Sequence, residues 1–86
     1  MCKYRRGDRV IISASTKYLR ELYNSNGCRV KYNEVRVDET IYVHATVIDV
    51  EREMENTVYI KTDKSNWIPT NIVSKLTIVL GGERDE

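Results

Sequence analysis

Ile41-Tyr42-Val43-His44-Ala45-Thr46-Val47-Ile48-Asp49-Val50 decides how this chain folds. The stretch is rich in β-branched residues and free of Gly and Pro, the composition that suits a pleated, half-buried surface. Its odd positions Ile41, Val43, Ala45 and Val47 form a wholly apolar set, which assigns them to a core face. The even positions Tyr42, His44, Thr46 and Ile48 then face outward or toward a second element. The alternation switches near Ile48 to Val50, which predicts a bulge or strong bend there.

Downstream, Glu53-Met54-Glu55-Asn56 reads as a polar turn and Thr57 to Thr62 as the antiparallel partner of this strand. Asp63-Lys64-Ser65-Asn66 is a second turn. Trp67-Ile68 opens a short strand that Pro69 stops, and Lys75-Leu76-Thr77-Ile78-Val79 closes the domain. Upstream, Gly7-Asp8 turns into a buried strand at Val10-Ile11-Ile12. Ser13-Ala14-Ser15-Thr16 then offers helix-capping hydroxyls, Tyr18, Leu19, Leu22 and Tyr23 make an apolar stripe, and Asn24-Ser25-Asn26-Gly27 supplies a left-handed stop. The spacing predicts one short helix over about residues 16–24. From Cys28 the period changes to two, with Val30 and Tyr32 alternating with Arg29 and Lys31, and Val35 and Val37 resuming it; this reads as an extra strand or short hairpin. Short strands at this spacing, with one interrupting helix, favour a mainly β fold, a small, strongly bent barrel, because closure removes exposed edges. Residues 1–80 make one domain, and residues 81–86 are an acidic tail with Gly81-Gly82 as its hinge.

At 86 residues the chain has room for one core. A hydrophobic fraction of 41% beside 31% charged residues is that of a folded chain. The net charge of +1 excludes a simple polycation but hides an asymmetry: residues 1–36 hold nine Lys/Arg against three Asp/Glu, and residues 37–86 hold five against ten. Apolar runs reach only three or four residues, far short of the roughly 20 that span a bilayer, and the basic first residues lack a signal-peptide core. A cytoplasmic, membrane-free protein is expected. Cys2 and Cys28 make neither a Cys-x-x-Cys pair nor a metal set. Cys28 reads as a small core or loop residue and Cys2 as an exposed thiol, with a Cys2–Cys28 disulfide as the alternative.

No catalytic constellation stands out. His44, the one histidine, has no nucleophile or carboxylate beside it and reads as a half-buried strand residue. Asp49, Glu51, Glu53 and Glu55 alternate at period two, but lack the Gly and Asx residues of an ordered calcium loop, so a solvated strand edge is the expected account. No glycine-rich phosphate loop is present. Neither enzyme activity, metal nor cofactor is implied. The basic, tyrosine-rich first part is the candidate region: Tyr4 with Lys3, Arg5 and Arg6, Tyr18 with Lys17 and Arg20, and Tyr32 with Arg29 and Lys31. Rings interleaved with cations suit base stacking with phosphate neutralisation, and suit protein interfaces equally well.

Trp67-Ile68-Pro69-Thr70-Asn71-Ile72-Val73 resembles the segment that ends Src-homology-3 domains, where a short strand enters a single 3₁₀ turn and the last strand follows at once. Gly7-Asp8-Arg9-Val10 and Ala45-Thr46-Val47-Ile48 resemble the first and second strands of bacterial and phage barrels of that shape, including the KOW type. The resemblance covers roughly residues 7–12 and 41–79 and implies a five-stranded SH3-like barrel with residues 13–40 as an enlarged first loop carrying the helix, Pro69 and Asn71 as turn residues and Trp67 as core lid or groove floor. It departs from the peptide-binding members: Ile72 stands where they usually have a groove tyrosine, no Trp pair precedes the third strand, and the first loop is basic rather than acidic. Small size, the missing catalytic constellation and the basic loop imply a non-catalytic adaptor or inhibitor that meets an acidic protein surface through Lys17, Tyr18, Arg20, Arg29, Lys31, Tyr32, Arg36 and Trp67; the resemblance alone implies that it is of the kind phages direct at host proteins. The alternative is a nucleic-acid-binding KOW-type barrel. A monomer or weak dimer is expected.

Overall fold

The computed structural model describes residues 3–33, 37–50 and 57–76. β1 (Arg9–Ser15) runs directly into α1 (Thr16–Asn26), and β2 (Thr40–Val50), β3 (Tyr59–Thr62) and β4 (Ser65–Pro69) follow. A 3₁₀ turn at Thr70–Ile72 then leads into β5 (Val73–Lys75). The five strands are antiparallel and lie in the order β4-β3-β2-β1-β5.

β2 carries the architecture as its alternation requires. Ala45 and Val47 are buried, Ile41 and Val43 are half-buried against the core, and Tyr42, His44 and Ile48 are exposed. The register shift falls between Val47 and Asp49, where the sequence switches face, and it divides the strand's partners. Thr40 to Thr46 pair with β1, while Val47, Asp49 and Val50 pair with β3. Val10, Ile12, Ile60 and Ile68 are fully buried, and Leu19 of the helix covers them with Tyr4, Cys28, Ile72 and Val73.

β1 is longer than its apolar run. Ser13, Ala14 and Ser15 stay in the ladder opposite Tyr42, Ile41 and Thr40, so the helix starts without an intervening loop. Ser15 caps it, its side chain accepting the Tyr18 N–H at 3.1 Å. Gly27 ends it at φ 74°, a left-handed conformation that costs glycine little, and its N–H donates to Tyr23 O. The helix therefore runs two residues past the expected end. Thr16, Leu19 and Leu22 face the core, but Tyr23 is 49% exposed and carries the Arg29 guanidinium over its ring at 5.3 Å.

Four other expectations change, the last being the closed barrel. The strand or hairpin expected after Cys28 reduces, among the described residues, to one antiparallel bridge between Val30 and Ser65 of β4. Its hydrogen bonds are spent on β4 and the turn before it: Asn66 N–H donates to Arg29 O and Lys31 N–H to Lys64 O. The turn expected over residues 63–66 tightens to Asp63-Lys64, because Ser65 already pairs with Thr62. The final strand begins at Val73, two residues earlier than expected, since the 3₁₀ turn delivers the chain to β1 opposite Ile12; residues 77–80 lie outside the described part, as does the tail. The sheet is open. No ladder joins β4 to β5 among the described residues, for Pro69 lacks an N–H to offer and the outer side of β4 is met at Ser65 by Val30.

Candidate binding groove

The start of β2 is held by a small polar lock. Thr16 is 1% exposed, and its hydroxyl donates to Asp38 Oδ1 at 3.2 Å and accepts the Glu39 N–H at 3.2 Å. Its own N–H donates to Glu39 O at 2.9 Å. Arg20 donates to the same Asp38 oxygen at 2.6 Å, and that bond, more than the one from Thr16, holds the Asp38 carboxyl below its ordinary pKa. The first turn of the helix thus fixes where residue 40 enters the sheet.

The segment after the helix is held as firmly. Asn66 Oδ1 accepts the Arg29 N–H at 2.6 Å and its Nδ2 donates to Gly27 O at 2.9 Å. Beyond it Lys31, Tyr32 and Asn33 form one wall of a shallow groove of about 730 Å³. Glu39 to His44 form the other wall, and Lys64 stands at one end, its Nζ donating to His44 O at 3.3 Å. Tyr42 is 68% exposed on the outer face of β2, while Ile41, Val43 and Tyr32 bring half-buried apolar surface to the groove from the core side. Lys31 and Lys64 face a single carboxylate, Glu39, among the lining residues.

A second hollow, about 510 Å³, lies between Lys3, the helix residues Tyr18 and Leu22, Tyr59 and Pro69-Thr70-Asn71. There the Tyr18 ring packs against the core, and its hydroxyl accepts from Asn71 Nδ2 at 3.5 Å.

The structure divides the residues that the sequence grouped. Lys31 and Tyr32 share the main groove, and Tyr18 lines the smaller hollow. Lys17 and Arg20 are exposed on the helix and line neither, Arg20 being engaged by Asp38. Arg29 stacks on Tyr23 and donates to its hydroxyl at 3.2 Å. Trp67 is half-buried on β4, outside both linings, and Arg36 lies outside the described residues. His44 is exposed rather than half-buried, because its position in the alternation puts it on the face away from the core. Cys28 is a buried free thiol whose pKa burial pushes up, which disfavours the reactive thiolate; Cys2 lies outside the described residues. Glu51, Glu53 and Glu55 lie outside them too, while Asp49 makes a 3.4 Å ion pair with Arg6. Among the described residues no cluster of metal-ligating side chains occurs, and no helix is long and apolar enough to cross a membrane.

Sequence reasoning missed Tyr42, Lys64 and Glu39. The outward parity of Tyr42 was readable from the β2 alternation; that a gap opens beside it was not, since this depends on where β3 stops. No protein-family model, curated protein or solved structure matches this chain.

Proposed function

We propose that the protein is a non-catalytic protein-binding module, of the adaptor or inhibitor kind, whose binding site is the groove between the start of β2 and the Lys31-Tyr32-Asn33 segment. One observation carries this reading: the fold brings Lys31 and Tyr32 of the first loop against the exposed Tyr42 and against Lys64, leaving a cation-rimmed hollow with half-buried apolar walls. Exposed tyrosine beside apolar surface and cations is the composition of protein contact sites. The succession of Trp67-Ile68-Pro69, a 3₁₀ turn and a final strand supports placing the chain with SH3-like folds, the first loop being the part enlarged for binding.

The test is affinity capture from cells with the wild-type chain, a Lys31→Glu/Lys64→Glu variant and a Lys17→Glu variant, each with and without nuclease. The groove variant should lose the specific partner and Lys17→Glu should keep it, with nuclease making no difference. Equal recovery by all three chains overturns the groove as the site. Capture abolished by nuclease, with affinity for an oligonucleotide falling steeply as salt is added, replaces this reading by the nucleic-acid one.

A further inference from the structure

β2 outlasts its neighbour on the β3 side. β3 ends at Thr62, and the chain turns away at Asp63-Lys64 while β2 continues back through His44 and Tyr42 to Thr40. In an antiparallel ladder, a residue sends both its N–H and its C=O to one neighbour and the next residue sends both to the other. The bonds from Thr16 N–H to Glu39 O and from Val47 N–H to Asp8 O show that the odd residues of β2 serve β1. The even residues therefore present their backbone groups to the opposite side. Thr46 displays this orientation, for its N–H donates to Asp63 Oδ1 at 2.8 Å and its C=O accepts the Asp63 N–H at 3.1 Å.

Two residues further back nothing from β3 remains to meet them. Among the described residues, His44 O is met only by Lys64 Nζ, and neither the His44 N–H nor the N–H and C=O of Tyr42 has a partner. This open edge is one wall of the groove already described. The lane beside it is the one β3 would fill if it were longer.

We infer that the groove receives an extended, acidic peptide segment of another protein, which adds to β2 as a short strand in the lane beyond Asp63. This deepens the groove reading and rests on it. The guest's backbone would pair with Tyr42 and His44, and its N–H would take over His44 O from Lys64. Freed from that carbonyl, the Lys64 ammonium can pair with a guest carboxylate. Alternate guest side chains fall on the core side, where Ile41, Val43 and Tyr32 are half-buried, so those are apolar. Charge complementarity sets the others: the rim offers Lys31 and Lys64 against Glu39 alone. The same cations argue against a second copy of this chain as occupant, because edge-to-edge pairing would bring like charges together, and a lysine on an open edge is a known obstacle to self-association.

The probe is an acetylated and amidated heptapeptide of alternating Glu and Val, followed by NMR and amide hydrogen exchange on the full chain. In the free protein the Tyr42 and His44 amides should exchange fast and Val43 slowly; the peptide should slow Tyr42 and His44 tenfold or more and leave Val43 unchanged. Tyr42→Pro removes an edge donor that β1 does not use, and should weaken binding about tenfold, the loss of one hydrogen bond to the guest. Should that variant fail to fold, N-methylated peptides give the same answer against the wild type: methyl groups on one alternating set of residues abolish binding and on the other set spare it. Equal binding by both methylated peptides, or no spectral change at about 1 mM peptide, overturns strand addition. So does sedimentation showing a dimer of this chain with the same two amides protected. If Lys31→Glu/Lys64→Glu loses the captured partner while Tyr42→Pro keeps it, the groove reading stands and the strand inference alone falls.

Discussion

Replacing Thr16 by Val tests whether the polar lock at the helix start, rather than apolar packing alone, sets the beginning of β2. Valine keeps the shape and the burial of a residue that is 1% exposed, and removes only the hydroxyl. That hydroxyl accepts the part-buried Glu39 N–H at 3.2 Å and donates to Asp38 at 3.2 Å. An amide left without its acceptor costs about 1–3 kcal/mol, while the extra methyl surface offsets a fraction of that. For a domain of this size each kcal/mol moves Tm by about 4–8 °C, so a fall of roughly 5–20 °C is expected. The measurement is thermal and urea denaturation of wild type, Thr16→Val and Thr16→Ser, with an unchanged urea slope showing that the unfolded states are alike. Thr16→Ser keeps both hydrogen bonds and should lie much closer to wild type. Because Asp38 loses one of its donors, its carboxyl should also titrate nearer the ordinary range in the valine variant, as NMR would show. A Thr16→Val chain melting within about 2 °C of wild type, with Asp38 titrating as before, would refute the lock.

Two further predictions concern the frame that holds the groove. Ile12 is fully buried between its β2 and β5 neighbours, so Ile12→Ala should cost about 2–5 kcal/mol in urea denaturation. That is a large share of the total stability of a domain this small, and a loss under about 1 kcal/mol would place the core elsewhere. The Asp8 carboxyl is held below its ordinary pKa, first by the Arg5 N–H and then by Lys75. A group whose folded pKa is depressed adds stability above its unfolded value, near pH 4, and loses it as pH falls through the folded value. Tm should therefore decline below about pH 4, and Asp8→Asn should flatten that decline; identical acid profiles for the two chains would remove Asp8 from the account.

Much of the frame was legible because it is written locally. The alternation from Ile41 to Val47 assigned the faces of β2 and the position of its bulge, and the hydroxyls of Ser13 to Thr16 and the stop at Asn24 to Gly27 bracketed the helix, within which the structure selects Ser15 and Gly27 as the caps. The residues after Cys28 misled for a physical reason. Val30 and Tyr32 alternate as a strand would, but Asn66 and Lys64 tie this segment to β4 and its turn at single points, and one bridge is all that forms. Tyr23 belonged to the helix stripe by spacing, yet Arg29 took its ring. The candidate site was legible only as a composition. Tyrosines and cations of the first loop were visible, but of the seven named residues that the structure describes only Lys31 and Tyr32 meet in the main groove, since Arg20 is spent on Asp38, Arg29 on Tyr23 and Tyr18 on the smaller hollow, and Lys17 and Trp67 line neither.

The sequence by itself determined which side chains of β2 face the core and which face outward, because that follows from a two-residue period along one strand. Which of its backbone groups find partners was decided by tertiary structure. That depends on a neighbour almost twenty residues away in sequence, where the turn at Asp63-Lys64 ends β3 before it reaches His44 and Tyr42, and pairing between strands is a matter of register and length that no local pattern records.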